Sequence, residues 1–202
     1  MTTRVLNCPS CGAPLEIESR FTRLVICKYC GQTSYVHDTG LDPTGKVAKL
    51  VEADSRLGVG RRGSIKGRPF KVLGRVRYNY EGGFWDEWFI QFDDGQSGWL
   101  EEDDEGEYVL TYKTRLTTPL PPFEQIRIAS TIPVSKEKVF VTEKGKGFIA
   151  GAEGEVSIAA SPGKPIQFVD GNAGGRAVRI IMTDESIHLS IGDALEFDDI
   201  QV

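Results

Sequence analysis

Arg68-Pro-Phe-Lys-Val-Leu-Gly-Arg-Val-Arg-Tyr-Asn-Tyr80, Glu81-Gly-Gly83 and Phe84-Trp-Asp-Glu-Trp-Phe-Ile-Gln-Phe92 follow one another without a break, and they carry the two-residue period of paired strands. Phe70, Val72, Val76, Tyr78 and Tyr80 fall on one face and Lys71, Arg75, Arg77 and Asn79 on the other. In the returning arm Trp88, Ile90 and Phe92 alternate with Glu87, Phe89 and Gln91. A three-residue loop would set Tyr80 opposite Phe84, and hence Arg77 opposite Glu87, Lys71 opposite Asp93, Val76 opposite Trp88 and Val72 opposite Phe92. That register places charge against charge on one face and apolar against apolar on the other, with Trp88 and Ile90 turned away from water.

Strand-like runs continue outward from this hairpin: Ser97 to Leu100, Tyr108 to Tyr112, Val139 to Val141, Phe148 to Ala150, Glu155 to Ala159, Ile166 to Val169, Ala177 to Met182, Ser186 to Ile191 and Ala194 to Phe197. Glycine supplies 23 of 202 residues, about 11% against a usual ~7%, and with ten prolines it is spread along the chain, as many short strands joined by turns require. Pro119, Pro121 and Pro122 interrupt the run and predict an extended crossing between two β halves. Gly145-Lys-Gly147 and Gly171-Asn-Ala-Gly-Gly175 read as hairpin turns.

All four cysteines lie upstream, as Cys8-Pro-Ser-Cys11-Gly and Cys27-Lys-Tyr-Cys30-Gly with fifteen residues between the pairs. This is zinc-ribbon spacing: two residues between cysteines let a tight turn aim both thiolates at one tetrahedral ion, and Gly12 and Gly31 can take the positive φ that closes each turn. Leu15-Glu16-Ile17 and Leu24-Val25-Ile26 predict the hairpin that brings the two halves of the site together, with Thr33 to Val36 as a further strand. Four thiolates leave a zinc site with a formal charge of −2, which Arg4, Arg20, Arg23 and Lys28 are placed in sequence to offset. A closed four-cysteine site holds structure and has no open position for chemistry. A rubredoxin-like iron centre and a redox-active cysteine pair are the alternatives to zinc.

The expected class is mainly β: a zinc ribbon over 1–38, a linker with a short helix over 39–57 (the helix at Lys46 to Asp54), a first β half over 58–116, the Pro-rich crossing over 117–123 and a second β half over 124–202. No 20-residue apolar run exists, which excludes a spanning helix, and the start lacks the apolar core of a signal peptide, which points to the cytoplasm.

Charge is segregated. From Arg56 to Arg77 there are eight basic residues and no acid, and from Glu81 to Glu107 eleven acids and no base. Hairpin pairing accounts for Lys71, Arg75 and Arg77 but leaves Arg61, Arg62, Lys66 and Arg68 unassigned, so these four are the candidates for contacting a partner. The acidic turn 101–105 lacks the alternating ligand spacing of a calcium loop. His37 and His188 have no nucleophile beside them, no Gly-x-Ser-x-Gly elbow is present, and no catalytic constellation emerges.

The set Gly63-Ser-Ile-Lys-Gly-Arg-Pro-Phe70-Lys-Val-Leu-Gly-Arg75, Trp85-Asp-Glu-Trp88, Gly98-Trp-Leu100 and Glu153-Gly-Glu155 resembles the bacterial family catalogued as domain of unknown function 4178, over roughly residues 57 to 200. The resemblance implies an accessory role, in membrane-stress or polyamine-related systems, and brings no catalytic residues. The chain therefore reads as a non-enzymatic zinc-ribbon adaptor with a protein partner. The alternative is a nucleic-acid-binding ribbon using Arg20, Arg23, Lys28 and Tyr29, against which a net charge of −5 and a pI near 5.2 weigh.

Overall fold

The computed structural model describes residues 3–46, 50 and 55–202. The strands begin with β1 (Arg4–Asn7), β2 (Pro14–Ile17), β3 (Leu24–Ile26), β4 (Gln32–His37), β5 (Gly40–Lys46) and β6 (Arg62–Ile65). Next come β7 (Arg68–Tyr80), β8 (Gly83–Phe92), β9 (Ser97–Asp103), β10 (Tyr108–Thr114) and β11 (Thr131–Val134). The chain continues through β12 (Glu137–Val156), β13 (Pro165–Ala173), β14 (Arg176–Met182), β15 (Ile187–Leu195) and β16 (Ile200–Gln201). Among the described residues the helical elements are two 3-10 turns, Phe123–Gln125 and Phe197–Asp199, and no helix is long and apolar enough to cross a membrane.

The expected two β halves are two four-stranded meanders, β7 to β10 and β12 to β15. Pairing of β10 with β15 and of β7 with β12 closes them into an eight-stranded antiparallel barrel. Each seam contains a glycine at which the strands approach too closely for a side chain. A Cβ on Gly74 would lie 2.0 Å from the Glu155 carbonyl oxygen, and one on Gly192 would lie 1.9 Å from that of Leu110. The strand runs expected around 139–141, 148–150 and 155–159 are largely fused in the twenty-residue β12. Gly145-Lys-Gly147 is therefore strand interior and not a turn.

Both faces of the barrel wall are buried. Val76, Tyr78, Trp85, Phe89, Trp99, Phe168 and Ile181 pack inside. Outside, Val72, Trp88, Ile90, Phe92 and Leu100 pack with Leu57, Ile65 and Ile200, and Val169, Val178, Ile180 and Leu189 pack with Phe123, Ile126, Ile132 and Val134. Full burial of each large apolar side chain contributes ~1.5–3 kcal/mol.

This double burial explains why the expected register is off by one. The β7–β8 loop is two residues long, with Tyr80 opposite Gly83, so Arg77 faces Asp86, Val76 faces Glu87 and Arg75 faces Trp88. A bulge between Val72 and Gly74 adds a further step, leaving Val72 opposite Ile90 and Lys71 opposite Gln91. The shift sends Glu87 into the barrel and Trp88 and Ile90 to its outer side, yet neither reaches water, because that side carries its own apolar cover. The expected linker also begins differently: residues 40–46 form β5, paired to β4, while the short helix expected at 46–54 falls almost wholly outside the described residues.

Candidate metal centre and the cleft beside it

Each cysteine pair sits in a tight turn. Gly12 N–H donates to the Cys8 carbonyl (2.9 Å) with φ +75°, and Gly31 N–H donates to the Cys27 carbonyl (2.8 Å) with φ +72°. Cys8 N–H to Ala13 O and Cys27 N–H to Gln32 O, both 2.8 Å, complete two matching knuckles. The knuckles face each other, with the sulfurs of Cys8 and Cys30 and those of Cys11 and Cys27 each 3.7 Å apart and all four within 4.8 Å. A tetrahedral ion with metal–sulfur bonds of about 2.3 Å requires sulfurs about 3.8 Å apart, so the donor set fits one metal ion.

On their own, the Cys30 and Cys11 thiols do not ionise alike. The Gln32 amide pulls the Cys30 thiol down to about 7, while Cys11 is pushed up to about 12: the Ala13 amide lowers it, but the Cys30, Cys8 and Cys27 sulfurs and desolvation outweigh that effect. A cation at the centre is what allows all four to be thiolates. Three of the four basic residues expected to offset the site have other contacts. Arg4 donates to the carbonyls of His37 and Asp38, Arg20 lies over the Phe21 ring (4.7 Å), and Lys28 lies over the Tyr29 ring (5.2 Å).

The ribbon is fastened to the barrel by the far end of β12, which pairs with β3. The Glu155 carboxylate accepts from the amides of Glu18 (3.0 Å) and Ser19 (3.3 Å) and from the Thr22 hydroxyl (2.6 Å); burial pushes its pKa up, and these donors oppose the shift. Lys71 reaches across to Glu18 at 2.5 Å. Leu24 and Ile26 join the barrel's own interior cluster. Between ribbon and barrel lies a cleft of about 870 Å³. The second knuckle with Lys28 and Tyr29 forms one wall, and Lys71, Arg75 and Glu153 stand on the other. Tyr29 is 64% exposed at this site.

The four basic candidates do not stand unpaired. Arg68 bonds Asp94 (2.5 and 2.9 Å) and stacks on Phe92, Lys66 meets Asp199 (3.3 Å), Arg62 approaches Asp93 (3.8 Å), and Arg61 donates to the Arg56 carbonyl (2.5 Å). What the sequence reading missed lies inside the barrel: Glu87, Glu101, Lys113, Asp170 and Arg179 form a charged group between aromatic rings. The available signal was an acid flanked two residues away by aromatics, as in Trp85-Asp-Glu87-Trp-Phe89 and Trp99-Leu-Glu101.

A family model described as domain of unknown function (DUF4178) matches residues 58–197, which hold the barrel and leave the cysteine knuckles outside. No curated protein and no solved structure matches the chain.

Proposed function

As the chain belongs to the DUF4178 family through its barrel, we propose that it is a non-enzymatic binding module. In this reading zinc on Cys8, Cys11, Cys27 and Cys30 holds the ribbon, and the cleft between ribbon and barrel receives a segment of a protein partner. The observation that carries this reading is the cleft itself, whose two walls come from the two parts of the chain and are held in place by Glu155 and the β3–β12 pairing. An exposed tyrosine such as Tyr29 is the kind of anchor that interface centres favour.

Replacement of Tyr29 and Lys28 together by Ala tests it, since both side chains are exposed and the fold does not need them. Proteins captured from the native host are identified by mass spectrometry, and the affinity of the purified partner is then measured. The double variant is expected to lose tenfold or more in affinity with metal content unchanged. Undiminished binding, or loss in an Arg61→Ala/Arg62→Ala variant instead, contradicts the cleft as the site.

A second reading is supported by the cations over exposed rings at Arg20–Phe21 and Lys28–Tyr29, an arrangement that also suits single-stranded nucleic acid. With a net charge of −5, generic DNA or RNA is expected to bind more weakly than ~10⁻⁴ M at physiological salt. Micromolar, salt-sensitive retention in a gel-shift assay, abolished in the Tyr29/Lys28 double variant, would select this reading over the protein partner.

A further inference from the structure

The charged group inside the barrel is out of electrical balance. Glu87 on β8 and Glu101 on β9 stand directly opposite each other in the register, where like charges repel. Glu87 is fully buried; one of its oxygens lies 3.3 Å from the Lys113 ammonium of β10, and the other, Oε1, has no hydrogen-bond partner. Glu101 accepts from Thr111 (3.1 Å) and from Arg179 of β14 (2.9 Å), and Arg179 is simultaneously held by Asp170 of β13 (2.8 and 2.7 Å). Glu143 of β12, an exposed residue, lies close enough to feel the charges of Asp170 and Arg179. Three interior carboxylates, Glu87, Glu101 and Asp170, thus share two cations.

The remaining polar neighbours do not correct the imbalance. Tyr78 of β7 lies beside both Glu87 and Glu101, and burial foremost, then those carboxylates, keeps its phenol neutral. Tyr80 is held neutral likewise, by desolvation and then by Glu143, Asp104 and Asp103. His188 of β15 is held toward its neutral form by burial and then by Lys113, with the ribbon's Arg23 acting in the same direction. Nor is a metal the counterion: among the described residues the four cysteines alone bring three or more ligand groups together.

We propose that Glu87 and Glu101 form a proton-binding pair, carrying one proton between them in the resting fold and releasing it to solvent as the medium turns alkaline, so that the barrel responds to pH. The proton is held at Glu101, where Thr111 can turn from donor to acceptor to receive it. It leaves past Lys113 and Arg179, whose side chains are 24% and 19% exposed and so open the group to water. The two cations lie against the Trp99 and Trp85 rings, at 5.0 and 4.7 Å, so a change of charge on the pair is reported by indole emission.

The direction of the effect follows from the Glu101 carboxyl. Burial, opposed by Arg179 and reinforced by Glu87, raises it from 4.5 to about 7. Since the folded value lies above the unfolded one, the stability that this proton contributes is fully present below about 4.5 and is lost as pH rises through about 7.

The test is a carboxyl ¹³C NMR titration of the full chain, labelled at glutamate, from pH 5 to 9, with tryptophan emission followed in parallel. One glutamate is expected to titrate near neutrality. That transition should vanish in Glu101→Gln and move to lower pH in Glu87→Gln, with indole emission tracking it in the parent protein. Glutamates that all titrate below pH 5.5 in the unmutated protein would overturn the proposal without recourse to any variant, and so would a neutral transition that survives Glu101→Gln.

Discussion

Glu155 is the side chain on which the orientation of the ribbon turns, because it satisfies two backbone amides and a hydroxyl of the 18–22 segment from a strand more than 130 residues away. Truncation by Glu155→Ala removes the acceptor of those donors, of which Ser19 and Thr22 belong to buried residues, at an expected cost of about 1–3 kcal/mol in urea unfolding. Faster hydrogen exchange should appear at the Glu18 and Ser19 amides. Unchanged exchange there would mean that the β3–β12 pairing alone fixes the ribbon. Contacts of this kind were not legible in the sequence. Lys71 was expected to meet Asp93 within its own hairpin and instead meets Glu18, 53 residues away, and the basic residues left over by hairpin counting find carboxylates or carbonyls supplied by other turns. Local spacing identifies a charge and its strand face but not a partner brought up by tertiary folding.

At the level of the strands, the barrel depends on its two seams. Gly74→Ala forces a methyl group to within 2.0 Å of a β12 carbonyl oxygen, and Gly192→Ala does the same at 1.9 Å against β10. Backbone on both sides of a seam can yield only by separating, so each substitution is expected to cost at least ~1–3 kcal/mol. Gly58→Ala, with nothing within 4 Å, should stay within about 0.5 kcal/mol of the parent in the same denaturation experiment. Equal losses at all three positions would contradict the seam account. The existence and direction of β7 and β8 could be read from alternation, but their register could not, since a loop shorter by one residue and a bulge at Leu73 shift it. Alternation separates inside from outside only where one face is wet, and here Trp88 and Phe89 are both buried.

Taken whole, the molecule is one barrel with a ribbon sharing its core, and this changes what loss of the metal should do. The cysteine knuckles were legible because their chemistry is local: two residues of spacing and a following glycine define each one. That Leu24 and Ile26, on the strand leading to Cys27, belong to the same buried cluster as Trp85 and Phe168 of the barrel interior was not legible, because that cluster joins residues far apart in sequence. Structural zinc supplies ~10–16 kcal/mol in isolated fingers. Cys27→Ser is therefore expected to unfold the ribbon and also to lower the barrel's midpoint in thermal unfolding. A barrel transition identical to the parent's would show the two parts to be independent. The central claim, a closed thiolate site holding zinc, is tested most directly by elemental analysis of protein purified from its native host under reducing conditions. The account predicts one zinc per chain, absent from Cys27→Ser; iron as the dominant metal, or no metal together with a Cys8–Cys11 disulfide, would contradict it.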